Sequence, residues 1–436
     1  MNLHKIIIAN YIKNVNFKRK IFYGGAYLMM RSEFLDITKL TVDEDVLRLF
    51  KVVENHGGVL RFVGGAVRDA LKNVKSYDLN LATDLSPEEL MEACVDAGYD
   101  TVPLGIKQNA IGVLINGKTI EVSSLFKYID DKDGNTQVEY TDNWEEDASR
   151  RDLTINAVYA DEQGNVFDYY NGIEDLEKGY VRFIGSAAQR IKEDPIRILR
   201  YFRFYSMYGL EEPNKKAIEA CHEYCELLKK VPMEKIRDEL LKIILTHHAP
   251  RAYRLMQNND ILSYILPDAQ YIDNLEFFNT IAKGQKIKDE EVVKLFILYR
   301  PNEALAENMS VRLKLNRGQK NLLSALSNQE LKFEDLLTPL GRLNLIYRYG
   351  KDFCQAFLLT SYAELMKVPD DLWKIYDEIA DTAKPKFPIT GKDLMNLGIS
   401  DNRQIGNLIK ELEKRWVETG FSLSKEQLLA QFREVI

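Results

Sequence analysis

The order of apolar and polar positions divides the chain into two regimes. From Glu33 to about Asp168, short apolar runs alternate with helical patches. A helix predicted over 42–56 stops at Gly57-Gly58, a pair that ends helices by admitting left-handed backbone. Val59–Val63 reads as a strand running into Gly64-Gly65, and Ala66–Lys72 as the opening of a helix. Asp78-Leu79-Asn80-Leu81-Ala82 alternates polar and apolar, the signature of a half-buried strand. Ser86-Pro87-Glu88-Glu89 supplies a cap, a first-turn proline and first-turn acids for another helix. Ile111–Ile115 and Thr119–Ser123 flank Asn116-Gly117 and predict a hairpin. Val138–Tyr140 and Val158–Asp161 add edge strands. Beyond Tyr169 apolar residues fall three and four apart, predicting helices over 187–205, 215–230, 233–246 and 406–416. Prolines at 213, 267, 301, 339 and 385 mark joints, and no repeat period emerges. The pattern is that of an α+β chain, with a small α/β head followed by a long all-helical body.

Length and composition fit several globular domains, with 436 residues, 45% hydrophobic and 29% charged. Four cysteines without a Cys-x-x-Cys pair and five histidines argue against a disulfide framework or a zinc site, so a reducing, cytoplasmic setting is expected. No apolar run reaches the roughly 20 residues of a membrane helix. Residues 1–32 form a basic extension with no acid before Glu33, but they are rich in Asn and Lys and match organelle leaders poorly. They read as sequence upstream of a start at Met29 or Met30, and mitochondrial targeting is the lesser expectation. The net charge of −7 excludes a uniformly basic coat for nucleic acid, although not a local basic face.

Four segments carry candidate chemistry. Gly64-Gly65-Ala66-Val67-Arg68-Asp69 lies between a strand and a helix, where glycines let a phosphate approach backbone N–H groups and Arg68 adds charge. Asp78 and Asn80, two apart on a strand, point to one side, where oxygen ligands suit Mg²⁺; Glu121 is a third candidate. Arg150-Arg151-Asp152 with Asn156 offers groups for phosphates and a ribose hydroxyl, or a salt-bridged helix start. Glu193, Asp194, Arg197, Arg200 and Arg203 place a cationic stripe, with acids before it, along one side of a helix. That stripe suits base edges or phosphates, or a surface ion-pair ladder.

Taken together, these motifs resemble the class II tRNA nucleotidyltransferases, the CCA-adding enzymes. The resemblance extends through Val181–Gly185 and Leu199–Phe204 to Phe387–Asp393, Gly398-Ile399, Ile405-Gly406 and Trp416, and is closest to the eukaryotic and α-proteobacterial branch. It implies a polymerase-β-like nucleotidyltransferase head (33–168), then an elongated all-helical neck (169–245), body (246–345) and tail (346–436). It also implies addition of C, C and A to tRNA 3′ ends from CTP and ATP, with two Mg²⁺ ions held between carboxylates. Gly64, Gly65, Arg68 and Asp69 would bind triphosphate. Arg151, Asp152 and Asn156 would help hold the nucleotide. Glu193, Asp194 and Arg197 would act as an amino-acid template for the base, supported by Arg200 and Arg203. The helical body and tail would grip the tRNA acceptor arm in a monomer or homodimer, away from membranes.

The chain departs from the family pattern at three places. Position 80 is Asn where the family has Asp, which removes a ligand charge worth roughly 4 kcal/mol per unit of cation charge at about 4 Å and an effective dielectric near 20. Gln108-Asn109-Ala110 replaces His-Gly-Thr, and Phe126 replaces an Arg. These departures predict weakened catalysis. They leave a rival open, a catalytically inactive tRNA-binding paralogue. A poly(A) polymerase shares the head motifs, but the Gly391–Trp416 block favours the tRNA enzyme.

Overall fold

The computed structural model describes residues 35–40, 44–74, 79–104, 109–130, 136–266, 269–399 and 401–433. The chain divides into two compact units, Met1–Lys230 and Val231–Ile436.

The first unit is built on a seven-stranded mixed sheet. Its strands are β1 (Leu60–Val63), β2 (Asn80–Thr83), β3 (Asp100–Pro103), β4 (Ala110–Ile115), β5 (Lys118–Ser124), β8 (Val158–Ala160) and β9 (Val166–Asp168), in the order β3-β4-β5-β2-β1-β8-β9. β2 and β5 pair in parallel, and the other described neighbours are antiparallel. β6 (Phe126–Asp130) and β7 (Thr136–Tyr140) form a separate two-stranded ribbon. The period-two pattern gives the sheet two faces. Leu60, Phe62, Leu81, Ile111, Val113 and Val122 point to one side. There they pack against Val46, Leu49, Phe50 and Val53 of helix α1 (Glu44–Asn55). Each such buried side chain contributes about 1.5–3 kcal/mol. The opposite face carries Val63, Ala82 and Tyr159, covered in part by Trp144 and Ala148.

The local signals explain the helix boundaries. Gly57 ends α1 in the left-handed region at φ +81°. Helix α2 (Gly65–Leu71) follows β1 through Gly64, whose φ +70° and ψ −122° an L-residue rarely adopts. Helix α3 (Pro87–Asp96) opens with the expected capping box, Ser86 accepting from the Glu89 amide and Glu89 accepting from the Ser86 amide. Helix α4 is Trp144–Ser149, and α5 is Gly172–Lys178.

Three expectations are corrected. The segment 158–161 is not an edge strand: the Asp161–Gly164 turn folds β9 back onto β8, so β8 is sheet interior. The helix expected over 187–205 is two, α6 (Ala187–Glu193) and α7 (Arg197–Tyr208). Pro195 has no amide hydrogen to continue α6 and drives Asp194 into extended backbone, φ −149° and ψ 101°. The helix expected over 215–230 stops as α8 (Lys215–Glu223) and tightens into a 3₁₀ segment, Cys225–Lys230, where the Cys225 thiol takes the His222 carbonyl.

Among the described residues of the second unit every secondary-structure element is a helix, including Met233–Ile244, Lys351–Leu365 and Asn402–Glu418. Its C-terminal core gathers Ile389, Leu394, Ile405, Leu412 and Trp416, with Phe387, Tyr347 and Phe421 packed against them. Thr390 and Asp393 form a capping box, and Lys425 pairs with Asp393. The Phe387–Asp393 motif thus builds this core and starts the following helix.

Candidate functional site

The parallel pairing of β2 with β5 places Asn80 directly beside Glu121. Residues level with one another on neighbouring strands share a face. That face is the one opposite the α1 core, because the next pair along, Leu81 and Val122, points into that core. Asn80 is half-buried and Glu121 exposed. An amide oxygen and a carboxylate oxygen side by side are a donor set suited to a hard cation such as Mg²⁺. Asp78 and Gln108 lie outside the described residues. Asn109 adopts a left-handed φ of +46°, which Asn tolerates best after Gly, and its side-chain oxygen accepts from the Tyr140 hydroxyl at 3.1 Å.

Arg68, Asp69, Asp152, Asn156 and Arg200 join in one network, buried at Arg68, Asp152 and Asn156. Arg68 is 6% exposed. It donates to Asn156 Oδ1 at 2.5 Å and to Asp69 Oδ1 at 2.8 and 3.0 Å, with its guanidinium near the rings of Phe204 and Tyr208. The Tyr208 hydroxyl donates to the same Asp69 oxygen at 2.7 Å. Asn156 donates to Asp152 Oδ1 at 3.0 Å, and Arg200 Nε donates to Asp152 Oδ2 at 2.6 Å. Burial works against an ionised Asp152. The Arg200 guanidinium, aided by Asn156 and the Leu153 amide, nevertheless holds its carboxyl down at about 2. Arg203 lies over the Phe204 ring.

Arg150 and Arg151 do not start a helix; they follow the end of α4. Both pair with Asp147, which is fully buried. Arg151 Nη2 reaches Asp147 Oδ2 at 2.9 Å, and the Tyr159 hydroxyl donates to the same oxygen at 2.7 Å. Arg150 reaches Asp147 Oδ1, donates to the Phe126 carbonyl at 3.0 Å and stacks on the Phe126 ring. Burial raises the Asp147 carboxyl, but the two guanidiniums and the Tyr159 hydroxyl outweigh it and hold it low. Burial also pushes the Tyr159 phenol up.

The expected base-reading trio straddles the Pro195 break, so Asp194 does not lie on the helix of the arginine stripe. Glu193 closes α6, Asp194 is extended, and Arg197 opens α7. Arg197 donates to Glu193 Oε2 at 2.8 Å, to the Arg190 carbonyl at 3.1 Å and to the Arg150 carbonyl at 2.9 Å. Asp194 is exposed, and its carboxylate accepts from the Ile196 amide at 3.4 Å. Sequence reasoning missed Asp147, Tyr159, Arg190 and Tyr208 as parts of the site. Asp147 was findable, because it lies three and four residues before Arg150 and Arg151, the spacing of helical ion pairs. Tyr208 carries no such signal.

A cavity of about 820 Å³ in this unit, lined by Phe183, Ser186, Asn214, Lys216 and Glu219 among others, does not include these residues. Among the described residues no helix is long and apolar enough to cross a membrane, and no three His, Cys, Asp or Glu cluster as a metal site.

Residues 60–182 match the family described as Poly A polymerase head domain, and residues 212–272 match the probable RNA and SrmB- binding site of polymerase A. The chain is 32% identical over 391 residues to the CCA tRNA nucleotidyltransferase 1, mitochondrial, of Homo sapiens, covering 88% of each. It is 30% identical to the Danio rerio protein of the same name, covering 93% of this chain and 94% of that one. The CCA-adding enzyme of Lactobacillus helveticus is also 30% identical, over 87% of this chain and 94% of its own. The crystal structure of the Bacillus stearothermophilus CCA-adding enzyme in complex with CTP superposes with a TM-score of 0.72 at 22% identity, covering 90% of this chain and 96% of that chain.

Proposed function

Because the chain belongs to the class II CCA-adding tRNA nucleotidyltransferases, we propose that its head transfers nucleotides from CTP and ATP to the 3′ end of tRNA. The transfer joins the tRNA 3′ oxygen to the α-phosphorus of the nucleotide and releases pyrophosphate. The observation that carries the reading is the Asn80–Glu121 register on the sheet face that also carries Tyr159, whose hydroxyl accepts from Arg151.

Asp78, Asn80 and Glu121 would hold Mg²⁺, which when bound lowers the pKa of a hydroxyl and neutralises triphosphate charge. Gly64 shapes the turn that brings the start of α2 to a phosphate. Arg68 and Asp69 fix that turn against α7 through Asn156 and Tyr208. Arg151 and Asp152 set the wall of the nucleotide site. The Asp194 carboxylate accepts from the exocyclic amino group of C or A, and Arg197 donates to the ring. A base lacking the matching group covers the polar atoms of Asp194 or Arg197 without pairing them, at about 1–3 kcal/mol. Arg200 and Arg203 hold the helix behind them. The neck, body and tail boundaries given above, with tRNA bound by the helical parts, belong to the same proposal.

The test is purified protein with Mg²⁺, CTP, ATP and labelled tRNA lacking CCA. Full addition at an ordinary rate shows that Asn80 supports catalysis. Slow addition raised at least tenfold in Asn80→Asp shows that the missing charge limits the rate. Tight tRNA binding with no addition by either protein overturns the reading in favour of a binding paralogue.

A further inference from the structure

We propose that Arg190 is a positioning residue for base selection, acting through Arg197. The inference rests on Arg197 being the base-reading donor. Arg190 sits in the last turn of α6, and its Nη2 donates to Glu193 Oε1 at 2.7 Å while its Nη1 donates to the Ser149 carbonyl at 2.9 Å. Arg197 repeats the arrangement one step on, donating to Glu193 Oε2 and to the carbonyl of the next residue, Arg150. The Arg190 carbonyl in turn accepts from Arg197 Nη1. Two guanidiniums are therefore bracketed by one carboxylate on one side and by consecutive carbonyls at the end of α4 on the other. Their side chains are 16% and 12% exposed, and that of Glu193 is 19% exposed.

This geometry crosses the break that Pro195 makes. At Asp194 the backbone keeps only single bonds on either side, Asp194 N–H to the Arg190 carbonyl and Arg197 N–H to the Asp194 carbonyl. Pro195 leaves no continuous ladder from α6 to α7, so side-chain bonds to α6 and α4 set the angle of the Arg197 guanidinium. A guanidinium suits the task, since its fixed fork bonds two acceptors at once, and cations are favoured at the carbonyl end of a helix. Without Arg190, Glu193 has one arginine fewer to balance it and draws Arg197 toward itself, while Ser149 loses its tie to α6. Burial pushes the Arg190 guanidinium pKa down, and neighbouring Arg197 pushes the same way, while Glu193 opposes both. Glu193 is thus what lets the two cations coexist.

The experiment measures the ratio of dissociation constants for UTP and CTP by calorimetry in the presence of Mg²⁺. This readout does not depend on turnover. The parent chain, Arg190→Ala, Arg197→Ala and the double variant form a cycle. Arg190→Ala is expected to lower the UTP/CTP ratio by roughly tenfold, the scale of one charge-assisted hydrogen bond. The double variant is expected to match Arg197→Ala within about threefold. A general structural loss would weaken both nucleotides alike and leave the ratio unchanged, which overturns the proposal. Multiplicative losses in the double variant overturn it as well. If Arg197→Ala itself leaves the ratio unchanged, the base-reading role of Arg197 fails, and this inference with it. If only Arg190→Ala leaves it unchanged, this inference fails alone. Should the alanine variant not fold, Arg190→Lys carries the same comparison, because an ammonium keeps the charge and lacks the fork.

Discussion

Asp147→Asn tests how far the arginine pair depends on a single buried charge. The carboxylate is fully buried and accepts from Arg150, Arg151 and Tyr159, while the arginine side chains are only 17% and 18% exposed. Each cation lies roughly 4 Å from the carboxylate centre, where an effective dielectric near 20 makes each pair worth about 4 kcal/mol. Much of that offsets desolvation, and removing one partner of a buried pair costs about 3–5 kcal/mol net because the remaining charges stay uncompensated. The amide is close to the same size, so the loss is one of charge rather than of packing. Because the chain has two units that need not open together, the assay is local amide hydrogen exchange of residues 144–160. A loss of about 3 kcal/mol corresponds to a protection factor lowered more than a hundredfold. Tyr159→Phe, which removes the hydroxyl's bond to Asp147 and the one it accepts from Arg151, should lower it by at least roughly tenfold. Adding salt should leave the Asp147→Asn effect in place, since buried pairs are weakly screened. A drop of less than tenfold for Asp147→Asn would refute the charge argument.

Two further outcomes are expected. The Asp152 carboxyl is held at about 2 against an ordinary 3.8, so folding gains stability above 3.8 and loses it as pH falls toward 2. That amounts to roughly 2 kcal/mol, and Asp152→Asn should remove this part of the acid dependence of thermal unfolding; an unchanged slope would count against it. Gly64→Ala meets little steric resistance, since its new Cβ would lie 3.6 Å from the Asn156 carbonyl oxygen, but the backbone conformation itself is strained for alanine by about 1–3 kcal/mol. Its melting temperature should fall and CTP binding should weaken together; an unchanged melting temperature would show that the turn relaxes.

The strands and helices around Gly64, Ser86 and Asn116 were legible because their signals are local: a glycine pair, a capping box and a turn dipeptide. The adjacency of Asn80 and Glu121 was legible only as a candidate, because it depends on the parallel pairing of β2 with β5, which a hydropathy pattern does not encode. The break at Asp194 was written in the chain as Pro195. Apolar spacing of three and four residues nevertheless runs unbroken across it and predicts a single helix, because periodicity is blind to a missing amide hydrogen. Arg68 was identified by residue type as a phosphate ligand, while its partners Asn156 and Asp69 show it bound within the fold. Local sequence proposes the charge, and its partners, the adjacent Asp69 and the distant Asn156, decide where it is used.

The network from Tyr208 through Asp69, Arg68, Asn156 and Asp152 to Arg200 begins and ends on the same helix, α7. It is therefore a closed ring, with two turns of helix as its final side. A chain cut at one link falls into two loose ends, whereas a ring cut once stays anchored from both directions. The α2 turn and the Asp152 segment are thus each moored twice to one rigid rod. A single lost bond is buffered, and freeing either piece requires two cuts.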